Sequence, residues 1–379
     1  MKNNAHILLN ACTHESRVLK ETASLTSNGF AAKCYIFALE GAGLAQEETL
    51  DDKRTILRIP LKSRNWKRNP VSQLATYLEY LFRISQLVRK YEIDTINVHL
   101  LGLLPIGVFL KLFYKTQLVY DAHELETEVV LLSGIRKKVA KFVERALIRF
   151  VDLTIVVGPA IEKWYRDKYG ISNIVTVKNC PLYQDRYVSD LLRETQNIPA
   201  EKKVLLYQGG LALGRGIEGI LAAFDQRDTG GLVVVFMGYG GLEKLISDFA
   251  ARNDNIFLQP AAPPEVVLQY TASADYGISY IDNPSLNDRY CLPNKMFEFV
   301  MAGLPVLVND APEMSDFVKS TGVGAVMAAL TWSDIHKSIR EIEGIPREKL
   351  EANLSKAAKE NSWETQEKMM LKAYSEFVH

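Results

Sequence analysis

The sequence predicts an α/β protein made of two doubly wound, parallel-sheet domains facing across a cleft. Three observations predict it. Short apolar runs alternate with amphipathic helical stretches along the whole chain. The alternation lapses at about residues 181–202, where the chain turns polar and charged, and then restarts. Each half also places a polar cluster or a glycine loop directly after a strand, where open α/β sheets hold ligands.

Composition bounds the class. The 379 residues are 47% hydrophobic and 24% charged, ordinary for a globular protein with room for two domains. A net charge of zero hides an asymmetry: 26 Lys+Arg against 18 Asp+Glu in residues 1–180, or +8, and 19 against 27 in the rest, or −8. The first half is suited to an anionic partner such as a membrane surface or a lipid diphosphate. The same asymmetry is common between halves of ordinary proteins. Cys12, Cys34, Cys180 and Cys291 are scattered, without C-x-x-C or His/Cys ligand spacing, which points to a reducing compartment and no structural zinc. Ile7-Leu8-Leu9 is too short for a signal-peptide core, and the run from Leu100 to Leu110 is too short to span a bilayer. The expected location is cytoplasmic.

The first domain opens with a strand at His6–Asn10, a loop, a helix over Val18–Asn28 stopped by Gly29, and a strand at Ala32–Phe37. The loop, Cys12-Thr13-His14-Glu15-Ser16-Arg17, lacks a glycine fingerprint, which argues against a dinucleotide. Thr13, Ser16 and Arg17 either meet a phosphate or acceptor or simply start the helix. Lys62–Asn69 (KSRNWKRN) is a basic loop around Trp66, followed by a long helix from Val71 to Tyr91. Strands follow at Thr95–Val98 and Gln117–Tyr120. The second ends in Asp121-Ala122-His123-Glu124, which makes His123 the catalytic candidate of this half, against a purely structural histidine. Gly134–Val151 reads as an amphipathic helix with many cations, either interfacial on anionic lipid or a solvated outer helix. A strand at Leu153–Val157, a helix at Pro159–Tyr169 and a strand at Val175–Val177 complete the domain.

The second domain restarts with a strand at Val204–Tyr207 and the loop QGGLALGRG, then a helix from Ile217. Its G-x4-G spacing resembles a P-loop, but Arg215-Gly216 stands where Lys-Ser/Thr is required, so ATPase or GTPase chemistry is disfavoured. Further strands are expected at Leu232–Met237, Ile256–Leu258, Tyr276–Ile281 and Val306–Val308. Between the last two, a polar loop (Asp282, Asn283, Pro284, Asn287, Asp288, Arg289) leads to Leu292-Pro293-Asn294 and a helix from Lys295 to Met301. A helix start there offers N–H groups and a partial positive charge to a phosphate. Lys295 adds a full charge, and Glu298, one turn on, offers a carboxylate to ribose hydroxyls. Solvated Lys and Glu on an outer helix are the competing reading. The tail, 356–379, reads as a helix that packs back across the domains.

The stretches SRVLKETASLTSNGF, NVHLLGLLP, YDAHE, YQGGLALGRGI and CLPNKMFEFVMAGLPV, with the Trp363–Tyr374 helix, together resemble the GT-B-fold glycosyltransferases of family 4, whose two domains are Rossmann-like. The resemblance implies an acceptor-binding domain at 1–180, a linker at 181–202, a nucleotide-sugar domain at 203–355 and a closing helix at 356–379. It implies that Arg215 and Lys295 hold the donor diphosphate and that Gly209 and Gly210 lie under it. Asn294 and Glu298 would contact the donor, Glu298 at the ribose, with Ala261 near the base. His123 would face the transferred sugar, and Thr13 and Arg17 would approach the acceptor or phosphate. Two departures stand out: Tyr290 occupies the place of a frequent second glutamate, and Gly210 that of a frequent arginine.

The resemblance implies a retaining transfer from a nucleotide diphosphate sugar, UDP-linked by preference. The acceptor would be a glycan or lipid-linked molecule in surface polysaccharide synthesis. No cofactor, metal or nucleic acid is called for, and no Asp-x-Asp metal signature is present. Peripheral association with the inner face of a membrane follows from the basic first half. A nucleotide-sugar epimerase of the same fold and an inactive nucleotide- or glycan-binding partner subunit are the alternatives.

Overall fold

The computed structural model describes residues 2–378 except 14, 68, 131 and 283, so His14, Arg68, Asn283 and His379, included above, lie outside the described residues. The chain divides into two compact units, Met1–Lys178 with Glu367–His379, and Asn179–Gln366.

The first unit holds β1 (Asn3–Ile7), β2 (Lys33–Leu39), β3 (Glu47–Asp51), β4 (Arg54–Ile59), β5 (Ile93–Val98), β6 (Gln117–Ala122), β7 (Leu153–Val156) and β8 (Ile174–Thr176). They form one sheet in the order β3-β4-β2-β1-β5-β6-β7-β8. Every pairing is parallel except β3 with β4. The helices are α1 (Ser16–Ser27), α2 (Pro70–Lys90), α3 (Leu104–Tyr114), α4 (Gly134–Leu147) and α5 (Pro159–Tyr169). The strand order reverses at β1, so the carboxyl ends of β1 and β5 flank a switch point.

Several expectations shift here. The first strand ends at Ile7, because the backbone turns away and Cys12 takes a left-handed φ of 56°. The β3–β4 pair was not read from the sequence, since β3 is a mostly exposed, charged edge strand without an apolar face. The amphipathic helix stops at Leu147, and a 3-10 turn (Ile148–Phe150) follows it.

The second unit holds β9 (Lys203–Gln208), β10 (Leu232–Gly238), β11 (Ile256–Pro260), β12 (Tyr276–Ser279), β13 (Val306–Asn309) and β14 (Gly324–Met327), in the order β11-β10-β9-β12-β13-β14 and wholly parallel. Its helices are α6 (Leu191–Gln196), α7 (Ile217–Phe224), α8 (Glu243–Ala250), α9 (Val267–Ala272), α10 (Leu286–Arg289), α11 (Asn294–Met301), α12 (Pro312–Thr321), α13 (Trp332–Glu343) and α14 (Arg347–Glu360). Adjacent residues of β9 serve opposite cores: Val204 and Leu206 pack on one face of the sheet, Leu205 and Tyr207 on the other. A sheet covered on both faces explains why its strands read as unbroken apolar runs.

The expected linker is corrected. Residues 181–202 contain α6, whose Leu192 is buried in the core of the second unit and whose Arg193 binds Asp275 at 2.6 Å. Its polar composition marks a short surface helix with one buried side, not a free tether. The tail is two helices, not one. Asn361 and Ser362 separate α14 from α15 (Trp363–Phe377), which belongs to the second unit through Gln366 and to the first from Glu367. Within the first unit the buried Tyr374 of α15 donates its hydroxyl to Asn97 of β5. No helix among the described residues is long and apolar enough to cross a membrane.

Candidate active site

The second unit gathers its candidate residues at the switch between β9 and β12. Gln208 ends β9, and the chain enters the glycine loop. Gly209 has φ +117°, a conformation side chains rarely adopt. Its N–H donates to Met237 O at 2.9 Å, and Leu211 N–H donates to Tyr239 O at 2.9 Å. The loop closes at Gly216, with φ +73°, where a Cβ would fall 2.7 Å from Tyr280. Asp282 N–H, from the loop after β12, donates to Gly214 O at 3.0 Å. The two loops of the switch point are thereby tied together. The space beside Gly210 is open, with no heavy atom near an added Cβ.

Two cations meet at this loop. The Lys295 ammonium lies 3.9 Å from the centre of the Tyr207 ring, and Lys295 Cε lies 3.5 Å from where Gly209 would carry a Cβ. Burial, and then the nearby Arg215 charge, push the Lys295 pKa down to about 7. Arg215 is half-buried. Among the described residues neither cation forms an ion pair. The start of α11, capped by no side chain, adds N–H groups beside Lys295. This arrangement suits a dianion: two positive charges drawn partly out of water, on a backbone loop that permits close approach.

Glu298 sits one turn along α11 from Lys295, half-buried, and accepts a hydrogen bond from Gln208 Nε2. Gln208 Oε1 in turn accepts from the Thr271 hydroxyl at 2.6 Å. Gln208 and Thr271 are both buried, and sequence reading missed both. A glutamine at the end of an apolar strand was the available signal, because a buried amide requires partners. Asn294 is exposed at the first position of α11. Ala261 is exposed directly after β11, at the edge of the sheet two strands from β9, and no described contact joins it to the cluster.

The first unit builds a different cluster at the carboxyl ends of β1, β5 and β6. Asp121 is fully buried. His123 Nε2 lies 2.9 Å from its Oδ2 and His99 Nδ1 3.1 Å from the same oxygen. The second nitrogen of His99 meets His6 Nδ1 at 2.8 Å. Arg17 grips both Asp121 oxygens, at 2.9 and 2.8 Å, and donates to Val177 O at 2.8 Å.

Burial alone would raise Asp121, but the Arg17 charge and the histidine bonds outweigh it and hold the carboxyl well below its usual range. Burial, and then the Asp121 charge, push Glu21 well up, although it lies 2.9 Å from Arg17. In this cluster Arg17 is thus the counter-charge of Asp121, and the two carboxyls are pushed in opposite directions, Asp121 down and Glu21 up. Burial lowers His6 and His99, which are neutral. With His99 Nδ1–H donating to Asp121, its Nε2 accepts from His6 Nδ1–H. His123, the one partly exposed member, uses Nε2 toward Asp121 and leaves Nδ1 as its other functional nitrogen.

This geometry corrects the expectation for Arg17. Its guanidinium is buried and committed to Asp121, Glu21 and Val177, so it is a counter-charge inside the fold and not a contact for an acceptor or phosphate. Thr13 is exposed in the preceding loop, with no described bond to the cluster. His6 and His99 are the residues that the single-histidine reading lacked, together with the role of the flanking Asp121 as the shared partner of His99 and His123. Their positions, in β1, directly after β5 and in β6, become neighbours only through the parallel order β1-β5-β6.

The comparisons with known proteins agree with this architecture. Residues 17–180 match Glycosyltransferase Family 4, and residues 188–361 match Glycosyl transferases group 1. No curated protein matches the chain in sequence. Among solved structures, sucrose-phosphate synthase from Thermosynechococcus elongatus superposes with a TM-score of 0.79 at 16% identity, covering 99% of each chain. Anabaena HepE, solved with UDP-glucose, gives 0.73 at 14% identity over 99% of this chain and 100% of its own. WaaG, a glycosyltransferase involved in lipopolysaccharide biosynthesis, gives 0.68 at 13% identity over 99% of each. Identities this low speak for the shared fold, which is GT-B. With both family matches running in order over nearly the whole length, the chain belongs to the group 1, family 4 glycosyltransferases.

Proposed function

We propose that this glycosyltransferase moves a sugar from a UDP-sugar to a glycan or lipid-linked acceptor in surface polysaccharide synthesis, with retention of anomeric configuration. The observation that carries the donor reading is the pair Arg215 and Lys295, two cations without an ion pair among the described residues, beside an uncapped helix start and an open glycine loop. HepE, of the same fold, is solved with UDP and with UDP-glucose, which favours uridine.

Arg215 and Lys295 bind the diphosphate and stabilise the charge that develops on it as the glycosyl–oxygen bond breaks. They supply the charge neutralisation from side chains, so the proposed chemistry uses no metal. Glu298, held by Gln208, accepts hydrogen bonds from ribose hydroxyls. His123 contacts the transferred sugar through Nδ1, its ring fixed by Asp121. Asp121 is already saturated by Arg17 and two histidines, so it is a positioning group and not a nucleophile.

Calorimetric titration with UDP, GDP, ADP and CMP tests the donor reading. UDP is expected to bind alone or most tightly, with binding weakened roughly ten- to a hundred-fold in Arg215→Ala. Binding of none of the four overturns it. Tight UDP binding without transfer or release of sugar from UDP-sugars would favour an inactive partner subunit, the reading that Tyr290 motivates.

A further inference from the structure

In the first unit, α2 packs beside α3 and α3 beside α4. All three connect parallel strands added in one direction across the sheet, so right-handed crossovers place them on one face. That face is apolar where an outer helix should be polar. On α2, Val71, Leu74, Leu78 and Phe82 are 77%, 58%, 53% and 60% exposed and form a single stripe at i, i+3, i+7, i+11. On α4, Ile135, Val139 and Phe142 form a second, 73%, 54% and 73% exposed. Between α3 and α4 lies a groove of about 590 Å³, floored by Leu101, Pro105, Val129 and Val143. Tyr77 of α2 donates to Gly102 O at 3.0 Å, which ties α2 to the turn that leads into α3.

The exposed charges on these helices and in the loop that leads into α2 are cations, whereas Glu126, which lines the groove, is half-buried and accepts from Leu101 N at 2.7 Å, and Glu128 is paired with Lys137 and Lys141. Arg136, Lys138 and Arg145 on α4 are exposed, as are Lys62, Arg64 and Lys67 in the loop that leads into α2. The only carboxylates on the three helices are withdrawn. Glu79 is half-buried and accepts from Lys62 N and Ser63 N, and Glu144 is buried among Tyr165, Tyr169 and Thr127. Trp66, 58% exposed, stands in the same basic loop. Apolar stripes, a cationic rim and an edge tryptophan are the features of a surface that sits at the headgroup boundary.

We infer that the outer face of α2, α3 and α4 docks on an anionic lipid bilayer, with both apolar stripes entering the acyl boundary and the exposed cations meeting lipid phosphates. A second copy of the chain is a poorer occupant, because a two-fold contact would set one cationic rim against the other. The helices start at the carboxyl edge of the sheet, the edge that carries His99, Asp121 and His123. The docked face therefore borders that edge, within reach of a lipid-linked acceptor; this last step alone rests on the function proposed above.

Co-sedimentation of the full chain with phosphatidylglycerol-containing and pure phosphatidylcholine vesicles, at low and high salt, tests the docking. Binding to the anionic vesicles, weakened by salt, is expected. Removal of Lys138 and Arg145 should weaken it about five-fold per cation. The pair Phe82→Asp and Phe142→Asp, both at exposed sites, should abolish it while UDP binding and melting temperature stay unchanged. Absence of vesicle binding, or binding unaffected by the Phe82→Asp and Phe142→Asp pair, overturns the inference. So does a vesicle-free dimer dissolved by that pair, which would give the face to a second copy. UDP binding fails or holds independently of these outcomes.

Discussion

Arg17 in the first unit and Lys295 in the second are both cations withdrawn from water, and they differ in what faces them. Arg17 meets Asp121 through two hydrogen bonds, with a carbonyl for a third. Lys295 meets an aromatic ring and feels the Arg215 charge more strongly than that of Glu298, with which it forms no ion pair among the described residues. A buried cation with a matched anion is complete without a ligand. One held beside a like charge is incomplete, and an arriving anion relieves it. The difference separates residues that shape a site from residues that use it.

The strongest way to break this contrast is Arg17→Ala. It leaves Asp121 charged, buried and without its counter-ion, a situation that costs about 3–5 kcal/mol. For a unit of this size the melting temperature should fall by on the order of ten degrees. Asp121, held low in the folded state, contributes stability that is complete above the ordinary carboxylate range. That contribution disappears as pH falls through its lowered value. Differential scanning calorimetry of Arg17→Ala at neutral pH reads the first effect directly. An unchanged melting temperature would return Arg17 to the ligand-binding role expected from the sequence.

Arg215→Ala should do the opposite. It removes a charge that forms no ion pair among the described residues, so melting of the free protein should hardly move. UDP affinity should fall by about 1.5–3 kcal/mol, the worth of a charged hydrogen bond, or roughly ten- to a hundred-fold. A large loss of stability with intact UDP binding would make Arg215 structural and erase the contrast.

Lys295 sharpens the comparison through pH. With a pKa of about 7 in the free protein, it is largely charged below neutrality and must take up a proton to bind a diphosphate above it. The sign follows: the Lys295 contribution to UDP affinity is constant below pH 7, and affinity declines above it, by up to about ten-fold per pH unit. Lys295→Arg keeps its charge throughout and should flatten the profile. Titrations in buffers of different ionisation enthalpy would reveal the proton uptake directly, and an affinity independent of pH from 6 to about 9 would remove it.

Much of the architecture was legible because its signals are local. Glycines, strand-ending polar clusters and apolar runs marked both sheets, and Pro159–Tyr169 and Ile217–Phe224 form helices over the stretches expected. What sequence could not supply was pairing across strands. His6, His99 and Asp121 are far apart in the chain and become one network only because β1, β5 and β6 are neighbours. Arg17 looked available because nothing local shows that its partner comes from residue 121. The edge strand β3 and the helix within 181–202 were missed for a related reason, since both are polar on the outside and bury little.

The smallest predicted effect tests how far positioning reaches into the second unit. Gln208 touches no ligand in the proposed arrangement; it fixes the Glu298 carboxylate, and Thr271 fixes Gln208. Replacing it with leucine removes both bonds while keeping the side chain's bulk against the sheet. If Glu298 recognises ribose, UDP should bind about five-fold more weakly, close to the 1 kcal/mol of a typical hydrogen bond. Inorganic pyrophosphate, which engages only Arg215 and Lys295, should bind as before. Equal losses for both ligands would mean that Gln208 supports the glycine loop it precedes and not the carboxylate. A loss confined to UDP would carry the contrast one step further, because Glu298 would then be a group that uses the site and Gln208 a group that shapes it.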